Sequence, residues 1–221
     1  MKKIWLISAG CILAVCLLLS CTKNKVDREK EIFQAEKYRE LGELLFKEAK
    51  YTAALKEFLK AEALNPDDHF LQNDLGLVFM YKRKPDLAIP RFKKALELKK
   101  DYSPARNNLG MAYYEKKDYA RSEKNFLESL QLEKDFFMAL YGLGKTYMAM
   151  NRVPEAIKRL ERAAEIAPFE PRVYYELGKA YSLNREYQKG YDAYQEVVKL
   201  DAGSDLADKA RLAAQKIKHL L

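Results

Sequence analysis

The side chains best suited to nucleophilic, metal-binding or acid–base chemistry are scarce in this 221-residue chain. Its two histidines, His69 and His219, have no partner at helical spacing that would complete a metal site or a catalytic triad. All three cysteines, Cys11, Cys16 and Cys21, lie in the first 21 residues, so the body of the chain has no disulfide framework. The recurring glycines stand inside helical patterns and form no phosphate-cradling loop. The acidic stretch from Glu36 to Glu43 has lysines three and four residues away and reads as a solvated helix face. These patterns predict no catalytic residue, no metal, no cofactor and no enzyme. The chemistry that remains is at Cys21.

Met1-Lys2-Lys3 is a short positive start, Ile4 to Leu19 is an apolar run without charge, and Leu18-Leu19-Ser20-Cys21 closes it. This is the layout of a secretory signal, which is kept out of the fold. The run is near the lower limit for crossing a bilayer, and its ending decides against an uncleaved anchor. A leucine, a second apolar residue and a small residue before cysteine resemble the bacterial lipobox, with Leu19 bulkier than usual at its place. The resemblance implies a signal peptide over residues 1–20, cleavage before Cys21, diacylglycerol on its thiol and a palmitate-type acyl chain on its freed amine. Such chains would anchor the protein firmly. Thr22, where an aspartate would signal retention, implies by the same resemblance a protein held at the outer membrane and facing the periplasm. Cys11 follows too short an apolar region, and Cys16 follows Val15, which is not small. Residues 22–31 are polar and lack apolar periodicity, so residues 21–31 are expected to form the lipidated cysteine and a flexible tether with a reach of roughly 20 Å.

The rest of the chain is punctuated by one dipeptide. Leu41-Gly42, Leu75-Gly76, Leu109-Gly110, Leu143-Gly144 and Leu177-Gly178 follow one another at steps of 34 residues. A glycine inside a helix costs about 1 kcal/mol relative to alanine, so five of them call for a close approach between helices. The fixed period defines units 35–68, 69–102, 103–136, 137–170 and 171–204. Twelve residues past each glycine stand Ala54, Ala88, Ser122, Ala156 and Gly190, all small. Sixteen past stand Phe58, Phe92, Phe126, Leu160 and Tyr194, all large. Nineteen past stand Ala61, Ala95, Ser129, Ala163 and Val197. Small and large residues alternating at helical spacing predict two antiparallel helices that interlock and stack on the next pair. Pro66 and Pro168 end second helices, Pro85 and Pro154 open them, and Pro104 and Pro171 open first helices. Pro90 alone falls inside a helix, where a kink or a lost hydrogen bond is expected. Leu206, Ala210, Ala213, Ile217 and Leu220 share a stripe, so residues 205–221 are read as a capping helix.

These columns, with Asn65-Pro66 or Ala167-Pro168 closing a unit, resemble the tetratricopeptide repeat over residues 35–204. Lys100, Lys134 and Ala202 depart from it at the closing proline. The resemblance implies an all-α fold, a right-handed superhelical solenoid of five helix-turn-helix repeats plus the C-terminal capping helix, over residues 32–221. It also implies that first-helix residues line a concave groove that binds a peptide or helix. Those residues are Phe70, Asn73, Leu77, Met80, Asn107, Met111, Tyr114, Met138, Tyr141, Lys145, Met148, Tyr175 and Lys179, flanked by Arg39, Glu43, Phe46 and Arg172. Methionine supplies adaptable apolar contact, tyrosine anchors and asparagine backbone partners. Leu77 and Met111 could equally pack against the next unit, because periodicity does not separate the two roles. The terminal-carboxylate clamp of chaperone-tail binders is not expected: its nearest matches, Arg39 and Asn108, are interrupted by Glu43, Asp74, Pro104 and Gly142.

The formal charge of +8 comes with basic clusters at Lys82-Arg83-Lys84, Lys93-Lys94, Lys99-Lys100, and Arg159 with Arg162. They fall on turns and second helices, so a solvated convex face is expected and nucleic acid is not. The layout, the early cysteine, and runs such as Asn107-Asn108-Leu109-Gly110 and Lys84-Pro85-Asp86-Leu87-Ala88 resemble the pilotins of type IV pilus systems. These outer-membrane lipoproteins bind secretin subunits and promote their assembly. The expectation is therefore a membrane-anchored interaction scaffold in envelope assembly, with a secretin subunit as the candidate partner. The alternatives are an envelope adaptor that recruits cell-wall hydrolases or proteases, and a nucleic-acid or lipid-surface binder using the convex lysines.

Overall fold

The computed structural model describes the backbone of residues 2–221 and the side chains of residues 25–221. The signal segment and the Cys21 thiol lie outside the described side chains. Among the described residues the chain is helical throughout. It runs α1 (Lys2–Lys47), α2 (Tyr51–Leu64), α3 (His69–Tyr81), α4 (Pro85–Leu98), α5 (Ser103–Glu115) and α6 (Tyr119–Leu132). It continues as α7 (Phe137–Ala149), α8 (Val153–Ile166), α9 (Pro171–Leu183), α10 (Tyr187–Leu200) and α11 (Asp205–Ile217), with a final 3₁₀ turn at Lys218–Leu220. Among the described residues no helix is long and apolar enough to cross a membrane.

Each unit is a helical hairpin closed in the same way. The backbone N–H groups of Lys50, Lys84, Asp118, Arg152 and Glu186 donate back to the carbonyls of Leu45, Phe79, Tyr113, Tyr147 and Tyr181, at 2.8–2.9 Å. The residue before each donor is left-handed: Ala49, Arg83, Lys117, Asn151 and Arg185, with φ between 56° and 63°. This is the usual helix-ending loop, built here without glycine. Asp68 and Ser204 cap the next helices by accepting backbone N–H groups, from Phe70 at 2.8 Å and from Ala207 at 3.1 Å.

The repeat glycines face side chains of their own hairpin. A Cβ on Gly42 would stand 2.5 Å from the Phe58 ring, one on Gly144 2.6 Å from Leu160 Cγ, and one on Gly178 2.6 Å from the Tyr194 ring. The close approach expected from the sequence is thus a large side chain laid on a bare stretch of helix, not backbone on backbone. That side chain is fully buried at Phe58, Phe92, Phe126 and Leu160. The small column beside it is sealed at Ala54, Ala88, Ser122 and Ala156. The two serines that replace alanine find partners: Ser122 Oγ lies 3.0 Å from Thr146 Oγ1, and Ser129 Oγ donates to the Ser103 carbonyl at 3.1 Å.

Two expectations need amending. Residues 25–31 do not form a flexible tether but continue α1. They contain no glycine or proline, Lys30 pairs with Asp27 and Arg28 with Glu31 at the three-residue spacing that supports a helix, and Arg28 Nη1 donates to the Leu64 carbonyl at 2.7 Å. Leu220 does not join the capping stripe. α11 ends at Ile217, so the buried stripe is Ala207, Ala210 and Ala214, and Leu220 is exposed. α4 runs on through Pro90, which is exposed, so its ring faces solvent on the side where a missing N–H is least costly.

Candidate functional site

Successive first helices, α1, α3, α5, α7 and α9, touch one another across the units, whereas among the described residues the second helices α2, α4, α6, α8 and α10 do not. The first helices therefore form the tighter, inner layer. On this layer Arg172 donates to Glu170 at 2.6 Å, and that hydrogen bond pushes the guanidinium pKa up. The inner face is a cradle, and three depressions that share lining residues run along it.

The first depression, about 230 Å³, has Phe46, Phe58 and Leu77 as apolar lining with Glu43 and Asp74 beside them. Arg39 binds Glu43 and lies 3.3 Å from an Asp68 oxygen, so its one positive charge is shared. Asp74 is left poorly compensated. Burial, then the neighbouring Glu43, pushes its carboxyl up to about 7. Leu77 continues into the second depression, with Met80, Met111 and Met138 as apolar lining and Tyr81, Arg83, Asn108 and Glu115 as the other contributors. Met111, Met138 and Glu115 then pass into the third, about 180 Å³, completed by Tyr114, Phe126, Tyr141, Gly142, Lys145 and Arg172. Burial, with a further push from Glu176, raises the Tyr141 hydroxyl to about 12, so it stays a neutral donor.

Of the expected groove residues, Leu77, Met80, Met111, Tyr114, Met138, Tyr141 and Lys145 line these depressions. Phe70 lies beside them in an aromatic group with His69 and Tyr102, and its ring is 44% exposed. Asn73 and Asn107 are buried instead: Asn108 Nδ2 donates to Asn73 Oδ1 at 2.8 Å and Asn107 Nδ2 to Asn108 Oδ1 at 3.1 Å, an amide ladder that ties α3 to α5. Met148 packs into the cores of the fourth and fifth units. Tyr175 packs on the last core with its ring 5.9 Å from Tyr194, and Lys179 pairs with Glu176 at 2.6 Å. Asp74, Asn108 and Gly142, which the sequence brings in only to exclude a carboxylate clamp, also line the groove. They share one column, two residues before each repeat glycine: Glu40, Asp74, Asn108, Gly142 and Glu176. The signal was the single glycine in an otherwise polar column. Arg83, expected on the convex face, also turns into the groove, because its left-handed backbone ends α3 there.

Helical hairpins of fixed length, stacked with first helices inside, define a solenoid scaffold. Family models described as tetratricopeptide repeat match residues 73–133 and 171–203, and one described as TPR repeat matches residues 144–184. The chain belongs to the tetratricopeptide repeat family, whose fold generally serves as a scaffold for protein–protein interaction. Among solved structures it is similar to pilF of Pseudomonas aeruginosa, at 22% identity, covering 88% of this chain and 92% of that one with a TM-score of 0.72. It is also similar to YrrB, described as a TPR protein with an unusual peptide-binding site, at 18% identity, 86% and 96% coverage and a TM-score of 0.62. A third similar structure is MamA, at 21% identity, 76% and 92% coverage and a TM-score of 0.63. At these identities the likeness is one of fold. A search of curated protein sequences gives no match. Among the described residues no group of three histidine, cysteine or carboxylate side chains is placed to hold a metal ion.

Proposed function

We propose that this protein is an exported lipoprotein, acylated on Cys21, whose inner groove captures a segment of an envelope protein during assembly, with a type IV pilus secretin subunit as the partner. The observation that carries the reading is the apolar lining of Leu77, Met80, Met111 and Met138, shared across units two to four. Methionine and leucine on an open inner face adapt to an incoming chain, and tyrosines at the side offer anchors with hydroxyl donors. Similarity of fold to pilF along most of both chains supports the pilotin reading, as does the lipobox-like ending of the leader.

Capture of the secretin subunit by the full chain, with Met111→Glu and Tyr141→Glu as variants, tests the groove. Each substitution places a charge in the groove lining and is expected to weaken capture at least about tenfold. Undiminished capture by both variants would remove the groove from the reading. The anchor is tested separately: Cys21→Ser is expected to abolish incorporation of labelled palmitate and to release the protein from the membrane fraction.

A further inference from the structure

Gly142 has a different neighbour from the repeat glycines. Its own unit already has Gly144, which faces Leu160 of the same hairpin. A Cβ on Gly142 would instead stand 2.5 Å from Phe126 Cε1, a ring of the preceding unit. Phe126 is thus flanked by two glycines, Gly110 of its own hairpin and Gly142 of the next, whereas Phe58, Phe92, Leu160 and Tyr194 each meet the repeat glycine alone. The other units carry Glu40, Asp74, Asn108 and Glu176 where this one has Gly142. The Phe126 ring takes the place of that side chain, and beside it lies a hole with the ring and Gly142 in its lining and Met111, Met138 and Tyr141 around it.

The size and charge of the hole narrow its occupant. About 180 Å³ is less than the roughly 300–1,000 Å³ of pockets for whole small molecules, and suits one large apolar side chain. Beside it, the Lys145 ammonium lies 4.9 Å from the centre of the Tyr114 ring and 5.6 Å from that of Tyr141. Arg172 and Lys179 have carboxylate partners in Glu170 and Glu176, both at 2.6 Å, but Lys145 has none among the described residues. A cation held against two aromatic faces and left without a counter-ion is positioned to receive one. Glu115 lies with Met111 and Met138, on the stretch shared with the second depression. Further along, the groove carries Asp74 and Glu43, with Lys47 beside them and Arg39 paired to Glu43.

We propose that the Gly142 hole receives one leucine- or phenylalanine-sized side chain of an extended partner segment, and that an aspartate or glutamate directly beside that residue pairs with Lys145. The proposal rests on the groove being the partner-binding surface and adds the chemistry of what it selects.

The test is selection of a random twelve-residue peptide display library on the full chain in detergent micelles, followed by affinity measurement of the selected peptides. The expected consensus is a large apolar residue next to an acidic one. Lys145→Glu, on the solvent side of the pocket, is expected to weaken those peptides about tenfold, and a second selection on that variant should replace the acid with lysine or arginine. Gly142→Ala should push the Phe126 ring into the hole and weaken them by a similar factor. A thermal melt tells loss of the hole from loss of the fold, and Lys145→Glu carries the test if Gly142→Ala unfolds. Peptides that bind, are lost in Tyr141→Glu, and are indifferent to Lys145→Glu would overturn this proposal and leave the groove reading standing. Peptides indifferent to Tyr141→Glu as well, or no peptide bound by a chain that sediments as a dimer, would overturn both.

Discussion

At the C-terminal end of the solenoid α11 lies across the last hairpin and seals it. Ala207, Ala210 and Ala214 are buried there, as are Tyr194 and Val197 beneath them. At the other end, among the described residues, α1 packs on α2 and α3 alone. Leu41 holds the same place in its unit as Leu75, Leu109, Leu143 and Leu177, which are at most 4% exposed, yet Leu41 is 43% exposed. Phe33 and Leu44 on the same helix are exposed as well. One residue type in one column is core or surface according to whether another hairpin packs against it. Stability in such a stack is a sum of hairpins and of the interfaces between them, so the two ends should respond differently to the same injury.

The largest effect is expected at the sealed end. Ending the chain after Ser204 would expose Tyr194 and Val197, each worth roughly 1.5–3 kcal/mol of burial, so a loss on the order of 4 kcal/mol should appear in urea unfolding. An unchanged midpoint would mean that α11 is not a lid. Next, Leu143→Ala should cost about 3 kcal/mol, as a buried leucine does, while Leu41→Ala should cost less than about 1 kcal/mol. Equal costs would erase the distinction between the ends, because they would require Leu41 to be covered in solution.

The first junction also carries a carboxyl group whose titration is displaced. Asp74, where α3 meets α1, is raised from an ordinary value near 3.8 to about 7, first by burial and then by Glu43. The folded state therefore holds this proton more tightly than the unfolded chain. The stability it contributes is complete below about pH 4 and is lost as pH rises through 7. The full displacement corresponds to about 4 kcal/mol, and water in the open groove should reduce it to about 2 kcal/mol. Asp74→Asn is expected to match the parent near pH 4 and to exceed it at pH 8. Hydrogen exchange in α1 and α3, against α10 and α11, would sharpen the contrast. A parent whose α1 and α3 protection does not fall between pH 4 and 8 would remove it.

Much of this architecture was legible because it repeats. Five copies of a glycine sixteen residues before a large side chain define a hairpin, and Phe58, Phe92, Phe126, Leu160 and Tyr194 all occupy the place their spacing predicts. The groove was half legible. Periodicity put Met111 and Tyr141 on the inner layer, but it gave no sign that Asn73 and Asn107 would pair inward through Asn108. Side chains on one helix face divide between groove and neighbour by a few ångströms of inter-unit spacing, which no single helix encodes. Residues 25–31 show that the absence of an apolar stripe is not the absence of helix. Charge pairs and uninterrupted helix formers suffice when the helix is already nucleated downstream.

The turns inside the hairpins were the least legible part, and they supply the smallest effect. Ala49, Arg83, Lys117, Asn151 and Arg185 share a left-handed backbone but no side-chain chemistry, so nothing in their types marks the column. Only Asn151 belongs to a type that tolerates this conformation well, and a lysine or arginine there is held by the hydrogen bond that closes the hairpin. Replacing the residue with glycine relieves the steric cost in the folded state but gives the unfolded chain more freedom. For Lys117→Gly, in the middle of the stack, the first term should win by about 0.5 kcal/mol. The same change at Ala49 acts on the first hairpin, which among the described residues packs on α3 alone. Because that hairpin frays more easily, its gain should show mainly as slower local exchange in α1 and α2 and hardly at all in the global midpoint. Equal shifts of the global midpoint for both variants would show the open end to be as tightly coupled as the middle.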